Sequence, residues 1–450
     1  MKLQKYNYFF LIITLVFGVG LSLIMPVLHN HDEEFHFDEC CMLTNAVVKR
    51  SAVDASGGND NEQFRKYSAG GFCVYARQYF KKKVPQILKH KVEDRRALHM
   101  QVSDILLHLI PAIGVKLGAM IYPSVGVMCV VGRLFSCLFY ALTLFFIIKF
   151  LNYGKAALVM VALTPTMLTS AASLSYDCTN FVIISFFIAL IINLSISTQV
   201  SKKMCYLLVV SSLLVYFSKE NSKLLLLLLF LLPFRRFQNL VFFKAIYEKI
   251  LALIKRFKII LSTLFVGVVG IFSWNFLKSV GGVSFAFHKF INTFIFYAGS
   301  KNYPENKSLP YLISNIIDGG LWDQLSVMPG WWSVLWYILF LVILLAEGKK
   351  FEKKRQIFPL AMGSFCIYFL NYFGVIAKFI LYLPQEMPFI IGPQGRYFTP
   401  FLPLFAITAQ AMETRFIWKE KWLKACLYIF LFLSLVIYII IIFSFAYQNR

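Results

Sequence analysis

Runs of about 18 or more apolar residues recur from one end of this 450-residue chain to the other. Nothing else in the sequence restricts its fold so strongly. Lipid offers no water to backbone N–H and C=O groups, so each run must close its own hydrogen bonds as a helix. About eleven spans can be drawn, near 8–28, 124–148, 156–174, 179–197, 204–217, 223–234, 259–277, 331–347, 357–376, 397–413 and 425–446. A chain that is 59% hydrophobic and 17% aromatic, with mean hydropathy +0.68, has the composition for this. The expectation is an all-α integral membrane protein, a single polytopic domain over residues 1–450.

Three segments depart from plain bundling. Residues 29–123 form a first loop far too long for a connector. Within it, Ile105–Tyr122 is apolar but carries Pro111 and Lys116, and reads as an interfacial or re-entrant helix, because a crossing there would invert every later loop. The spans 204–217 and 223–234 are too short to cross about 30 Å of hydrocarbon upright. They are expected to flank a dip that brings Ser218-Lys219-Glu220-Asn221 into a cavity. A second loop, 278–330, holds an amphipathic aromatic stretch, Phe285–Tyr297, and a tryptophan-rich edge at Trp322, Trp331 and Trp332. The edge reads as an interfacial belt, or for Trp322 as a sugar-stacking platform.

A net charge of +23 would suggest nucleic acid in a soluble protein. Here the basic residues cluster in alternate loops, as at Lys149, Lys155, Lys202, Lys203, Arg235, Arg236, Lys349, Lys350 and Lys419. That is the positive-inside pattern, and no nucleic-acid motif accompanies it. It implies an N-terminus inside and a C-terminus outside the cytoplasmic (inner) cell membrane. Met1–Leu28 is shaped like a signal peptide but lacks a small-x-small cleavage site, and so reads as a retained anchor. Of nine cysteines, Cys129, Cys137, Cys178, Cys205, Cys366 and Cys426 are expected to be packing residues. Cys40, Cys41 and Cys73 lie in the first loop, where one disulfide is open.

Candidate chemistry gathers near the outer ends of the spans. An acidic knot, His31-Asp32-Glu33-Glu34-Phe35-His36-Phe37-Asp38-Glu39, follows the first span. Carboxylates one helical turn from an imidazole can supply a general base or hard-oxygen ligands; a solvated cap on the span is the alternative. Asp177 either caps the next helix or serves function. Lys219 belongs to a solvated turn or is aimed at a phosphate. Arg133 lies too deep in its span to lack a partner, whether an ion pair or substrate. Gly392-Pro393-Gln394-Gly395-Arg396-Tyr397-Phe398-Thr399-Pro400 fixes a turn that pins Arg396 at the boundary, as an anchor or as a fork for phosphate.

In this order the motifs resemble the domain-of-unknown-function-2142 family of bacterial predicted membrane proteins, similar in architecture to the C-type glycosyltransferases. The matching pieces are Asp32-Glu33-x-x-His36, Gly132-Arg133-Leu134, Ser175-Tyr176-Asp177, Ser218-Lys219 with the leucine run closing at Pro233, and Gln394-Gly395-Arg396-Tyr397-Phe398. In the segment before the eighth span the pattern is met only by Leu321-Trp322-Asp323 and Pro329-Gly330-Trp331. The resemblance implies an enzyme that moves a sugar from a polyprenyl-phosphate carrier to a cell-envelope glycan. Asp32 or Glu33 would be its base, Lys219 and Arg396 would bind the carrier phosphate, and His36, Arg133, Asp177 and Tyr397 would be further substrate contacts. A divalent ion (Mg or Mn) on Asp32 and Glu33 is compatible with that architecture. Membrane lipids are partners in any case. The rival expectations are a transporter or flippase of lipid-linked oligosaccharide, and a glycan polymerase or ligase.

Overall fold

A computed structural model of the chain describes residues 6–28, 30, 32–45, 47–48, 79–86, 101–197, 200–232, 281–294, 309–318, 328–347, 354–382, 394–412 and 420–447, with isolated positions between 245 and 278. Among them the elements are helices, without a strand. The first apolar run is α1, Tyr6–Ile24, which loosens into one π turn over Thr14–Gly18. The acidic knot forms α2, Glu33–Leu43. A helical hairpin follows, α3 (Val102–Ile121) and α4 (Val125–Phe150). Next come α5 (Lys155–Ala162), α6 (Pro165–Ala171), α7 (Tyr176–Ile196) and α8 (Lys202–Tyr216). Beyond a 3₁₀ helix, Glu220–Leu231, lie α9 (Val283–Phe294), α10 (Leu309–Asp318), α11 (Gly330–Ala346) and α12 (Lys354–Tyr382). Short turns lead to α13 (Leu404–Ala409), and α14 (Glu420–Tyr447) follows.

Among the described residues six helices are long and apolar enough to cross a membrane: α1, α3, α4, α7, and the segments Ile357–Phe379 of α12 and Lys421–Ser444 of α14. Where the sequence suggested further spans, the described chain is shorter or broken. Thr164 accepts a hydrogen bond from Met167 N–H (3.3 Å) and starts a new helix at Pro165, which divides α5 from α6. Residues 395–412 run as two 3₁₀ turns and α13. The expected span 259–277 falls largely outside the described residues.

Ile105–Tyr122, expected to lie at the interface or to re-enter, is by length and composition alone also a candidate span. It is an uninterrupted 20-residue helix with Pro111 inside, and its outward face carries Ile105, Leu109, Ile113 and Leu117 at four-residue spacing. Glycines let it lie directly on α4. A Cβ at Gly114 would sit 2.7 Å from the Gly132 Cα, and one at Gly118 would sit 2.8 Å from the Met128 Cα.

Contacts sort the helix ends into two groups. At one end the Lys424 ammonium lies 5.1 Å over the Tyr6 ring, Glu347 accepts from the Ala156 N–H (2.9 Å), and Lys155 donates to the Lys149 carbonyl (3.3 Å). At the other end lie Asp32, Tyr176, Lys219 and Arg396. Helix α4 starts at the end where α1 finishes, since Arg133 in its first half reaches the Met25 and Pro26 carbonyls. The tryptophans also divide: Trp331 is exposed, whereas Trp332 is buried and donates to Ser434 Oγ (2.7 Å). Trp332 therefore belongs to the core rather than to an interfacial edge, and Trp322 lies outside the described residues. Cys129, Cys137, Cys178 and Cys205 are buried as expected, but Cys366 and Cys426 face outward.

Candidate functional site

The end of α1 is held by one side chain. Arg133 rises inside α4 and donates to the carbonyls of Met25 (2.7 Å), Pro26 (2.7 Å) and Ser22 (3.4 Å), acceptors that a helix terminus leaves open. Its remaining donors take Glu33: Nε meets Oε1 at 2.8 Å, and Nη2 meets Oε2 in a tighter contact. The Leu174 N–H adds a third bond to Glu33 (3.3 Å). Both side chains are 0% exposed. Sequence left Arg133 between an ion pair and substrate, and the geometry gives it the ion pair. It also commits Glu33 to a fork rather than to open space.

Asp32, one residue earlier, is placed differently. It occupies the N-cap of α2 with φ 52°, in the left-handed region that costs a non-glycine residue about 1–2 kcal/mol. An N-cap aspartate ordinarily spends its carboxylate on the first-turn N–H groups. Here it makes no such bond. The side chain is 57% exposed and accepts from Arg396 Nη2 at 2.7 Å.

Arg396 is delivered by an unusually close approach. Gly395 N–H donates to Asn315 Oδ1 (2.8 Å), and a Cβ on Gly395 would fall inside the Asn315 carbonyl. Only glycine fits there. The Arg396 Nε lies 3.6 Å from Asp177 Oδ2 and is buried without a hydrogen-bond partner among the described residues.

Asp177 joins two cations. Its Oδ1 pairs closely with Lys219 Nζ, its Oδ2 faces Arg396, and Ser175 Oγ donates to it at 3.3 Å. It does not cap α7: Ser175 does, accepting from the Asp177 N–H (3.2 Å). Lys219 is inside, whereas its neighbour Glu220 points outward to Lys223 (2.6 Å), so the expected polar dip is real but divided in role. Burial lowers the Lys219 pKa, with Asp177 opposing the shift. The ammonium also lies 3.9 Å over the Tyr176 ring and 5.4 Å over that of Tyr397.

His36 finds a partner that sequence reasoning missed. Its Nδ1 is 2.8 Å from His108 Nε2, and His108 Nδ1 is 2.8 Å from the Asp104 carbonyl. A carbonyl can only accept, so His108 donates from Nδ1. In the neutral ring its Nε2 then accepts from the His36 Nδ1–H. Both rings pack edge-on against Tyr176, at 4.6 and 5.5 Å. No local signal marks His108, because the pair is separated by 72 residues. Glu39 is buried rather than solvated. Burial holds the thiols of Cys40 and Cys41 well above their ordinary pKa, and both are free thiols; Cys73 lies outside the described residues.

The carboxylates of Asp32 and Glu33 diverge to different arginines, and among the described residues no group of three or more His, Cys, Asp or Glu side chains could hold a metal ion.

Beside the charged cluster opens a cavity of about 480 Å³, bounded by the start of α3, the turn at Ser218–Asn221 and the end of α12. Asn221 Nδ2 donates to Asn371 Oδ1 (3.1 Å), and both amides reach the Tyr397 carbonyl (3.4 and 3.3 Å). Asn371, Gly374, Val375, Lys378 and Phe379 line it at helical spacing from one face of α12. That spacing was present in the sequence and is the signal that could have found this wall.

These features define a polytopic helical membrane protein with a cluster of paired charges at one end of its bundle. The chain belongs to the family described as predicted membrane protein (DUF2142), whose model matches residues 15–405. No curated protein and no solved structure matches it significantly.

Proposed function

We propose that this protein transfers a sugar from a polyprenyl-phosphate carrier to a cell-envelope glycan, at the extracytoplasmic face of the cytoplasmic membrane. Asp32 carries the proposal: it is the carboxylate that leaves its capping role, adopts a costly backbone conformation and stands exposed beside two buried cations. In the reaction an acceptor hydroxyl gives its proton to Asp32, and the oxygen attacks the anomeric carbon. The bond from that carbon to the carrier phosphate breaks, and polyprenyl phosphate leaves as an anion. Lys219 and the unbonded Nε of Arg396 stabilise that charge as it develops. Asp177 holds the two cations in place, and Tyr397 borders the substrate. Glu33 and Arg133 support the site by fixing the turn that carries Asp32. The extracytoplasmic assignment rests on the basic residues Lys149, Lys155 and Lys424 at the opposite end.

A transporter would need polar groups along a path between the ends, whereas the charges described here gather at the two ends. The test is glycan analysis of a strain whose sole copy carries Asp32→Asn. Loss of a single sugar residue is the expected outcome, and an unchanged surface glycan would sink the proposal. Loss of a ladder of chain lengths would replace it with a polymerase or ligase.

A further inference from the structure

The reaction proposed above places charges, but it does not say where the body of a substrate lies. The cavity beside Lys219 answers that. Its volume of about 480 Å³ lies within the range of roughly 300–1,000 Å³ typical of small-molecule sites. Its inner wall is Lys219 with the paired amides of Asn221 and Asn371. Planar amides offer a donor and an acceptor side by side, which suits vicinal hydroxyls and phosphate oxygens. Phe379 and Tyr397 stack at 6.2 Å with 19° between their planes, giving a flat apolar floor. Leu107, Leu224 and Val375 add apolar side chains to the lining, one from each bounding element, and outside the lining Ile105, Leu227 and Phe373 are exposed on the same three elements. A charged, amide-lined interior therefore opens onto apolar surface.

We infer that this cavity is the binding site for the headgroup of a phosphorylated polyprenyl lipid. The phosphate lies against Lys219, an attached sugar lies on the Phe379–Tyr397 floor, and the chain leaves across the apolar rim. The assignment rests on the transferase reading for its ligand class, and on the cavity for its position.

Gly374 provides the test. It lines the cavity, and a Cβ added there meets nothing within 4 Å. Gly374→Phe should fill the space without displacing the backbone. Purified full-length protein in nanodiscs would be titrated with farnesyl phosphate, and in parallel with farnesol and inorganic phosphate. Farnesyl phosphate is expected to bind saturably, and the other two at least tenfold more weakly. Gly374→Phe should weaken farnesyl phosphate binding at least tenfold while the unliganded melting temperature stays at the wild-type value. Should that variant fail to fold, Phe379→Ala removes half of the floor and should weaken binding in the same direction. Wild-type affinity in the folded variants would overturn the site. Equal binding of farnesol would reduce it to a lipid groove, and equal binding of inorganic phosphate to an anion site, and either result overturns the inference. Farnesyl phosphate binding together with an unchanged Asp32→Asn glycan would remove the transferase and keep the site. Loss of glycan without farnesyl phosphate binding would do the reverse.

Discussion

Two adjacent carboxylates, Asp32 and Glu33, differ in everything except their chemistry. Glu33 is sealed by Arg133, and Asp32 is exposed beside Arg396. Sequence could mark the pair but not divide it, because the division depends on an arginine 100 residues away. Breaking a buried ion pair from one side leaves an uncompensated charge. Glu33→Gln should therefore destabilise the protein by about 3–5 kcal/mol, and replacing Glu33 and Arg133 together by methionine should recover most of that loss. Thermal unfolding in detergent reads both. A Glu33→Gln protein of wild-type stability that has lost its glycan product would instead make Glu33 a chemical group. The thiols of Cys40 and Cys41 are buried and held protonated, and a thiol reacts through its thiolate. Maleimide should label them only after denaturation, with mass spectrometry of the peptides as the check.

At the scale of elements, length was the most legible property and also the most misleading. The 12-residue run 223–234 reads as too short to cross hydrocarbon upright, and the helix found there is Glu220–Leu231. As a 3₁₀ helix, at about 2.0 Å per residue, it rises roughly 24 Å, against about 18 Å for an α-helix of that length. Hydrophobic periodicity does not distinguish these two windings over so few turns. The packing of helix α3 was hard to read from sequence for a different reason. Pro111 and Lys116 argued against a buried apolar helix, whereas the contact that decides the matter, glycine against glycine, leaves no hydrophobic signature. Gly114→Leu should push α3 from α4 and release α2 through the His36–His108 pair. Protease accessibility of α2 in native protein would show it, and unchanged protection would refute the close crossing. Gly395→Ala should act more locally. It displaces Arg396 through the Asn315 backbone, so farnesyl phosphate binding, glycan product and melting temperature should all fall.

For the whole molecule, the basic residues Lys149 and Lys155, which lie together at one end, were visible in the sequence as a basic loop. The convergence of Asp32, Asp177, Lys219 and Arg396 was visible only as membership of the same end. Sequence order gave no distances, so the pairing of each cation with a particular carboxylate required the fold. That fold also has an order in time. The carbonyls of Met25 and Pro26 leave the ribosome more than a hundred residues before the arginine that binds them. An arginine within a spanning helix costs about 2.5–3.5 kcal/mol to insert on its own. Helix α4 should thus enter the bilayer poorly unless α1 is already waiting there. Deleting residues 1–28, with a foreign signal anchor supplied to keep the topology, should leave the Val125–Phe150 segment incompletely inserted, as read by glycosylation mapping of flanking sites. Full insertion would show that α4 is self-sufficient. If insertion fails, the first helix acts as a chaperone for the third spanning candidate before it acts as a scaffold for the site.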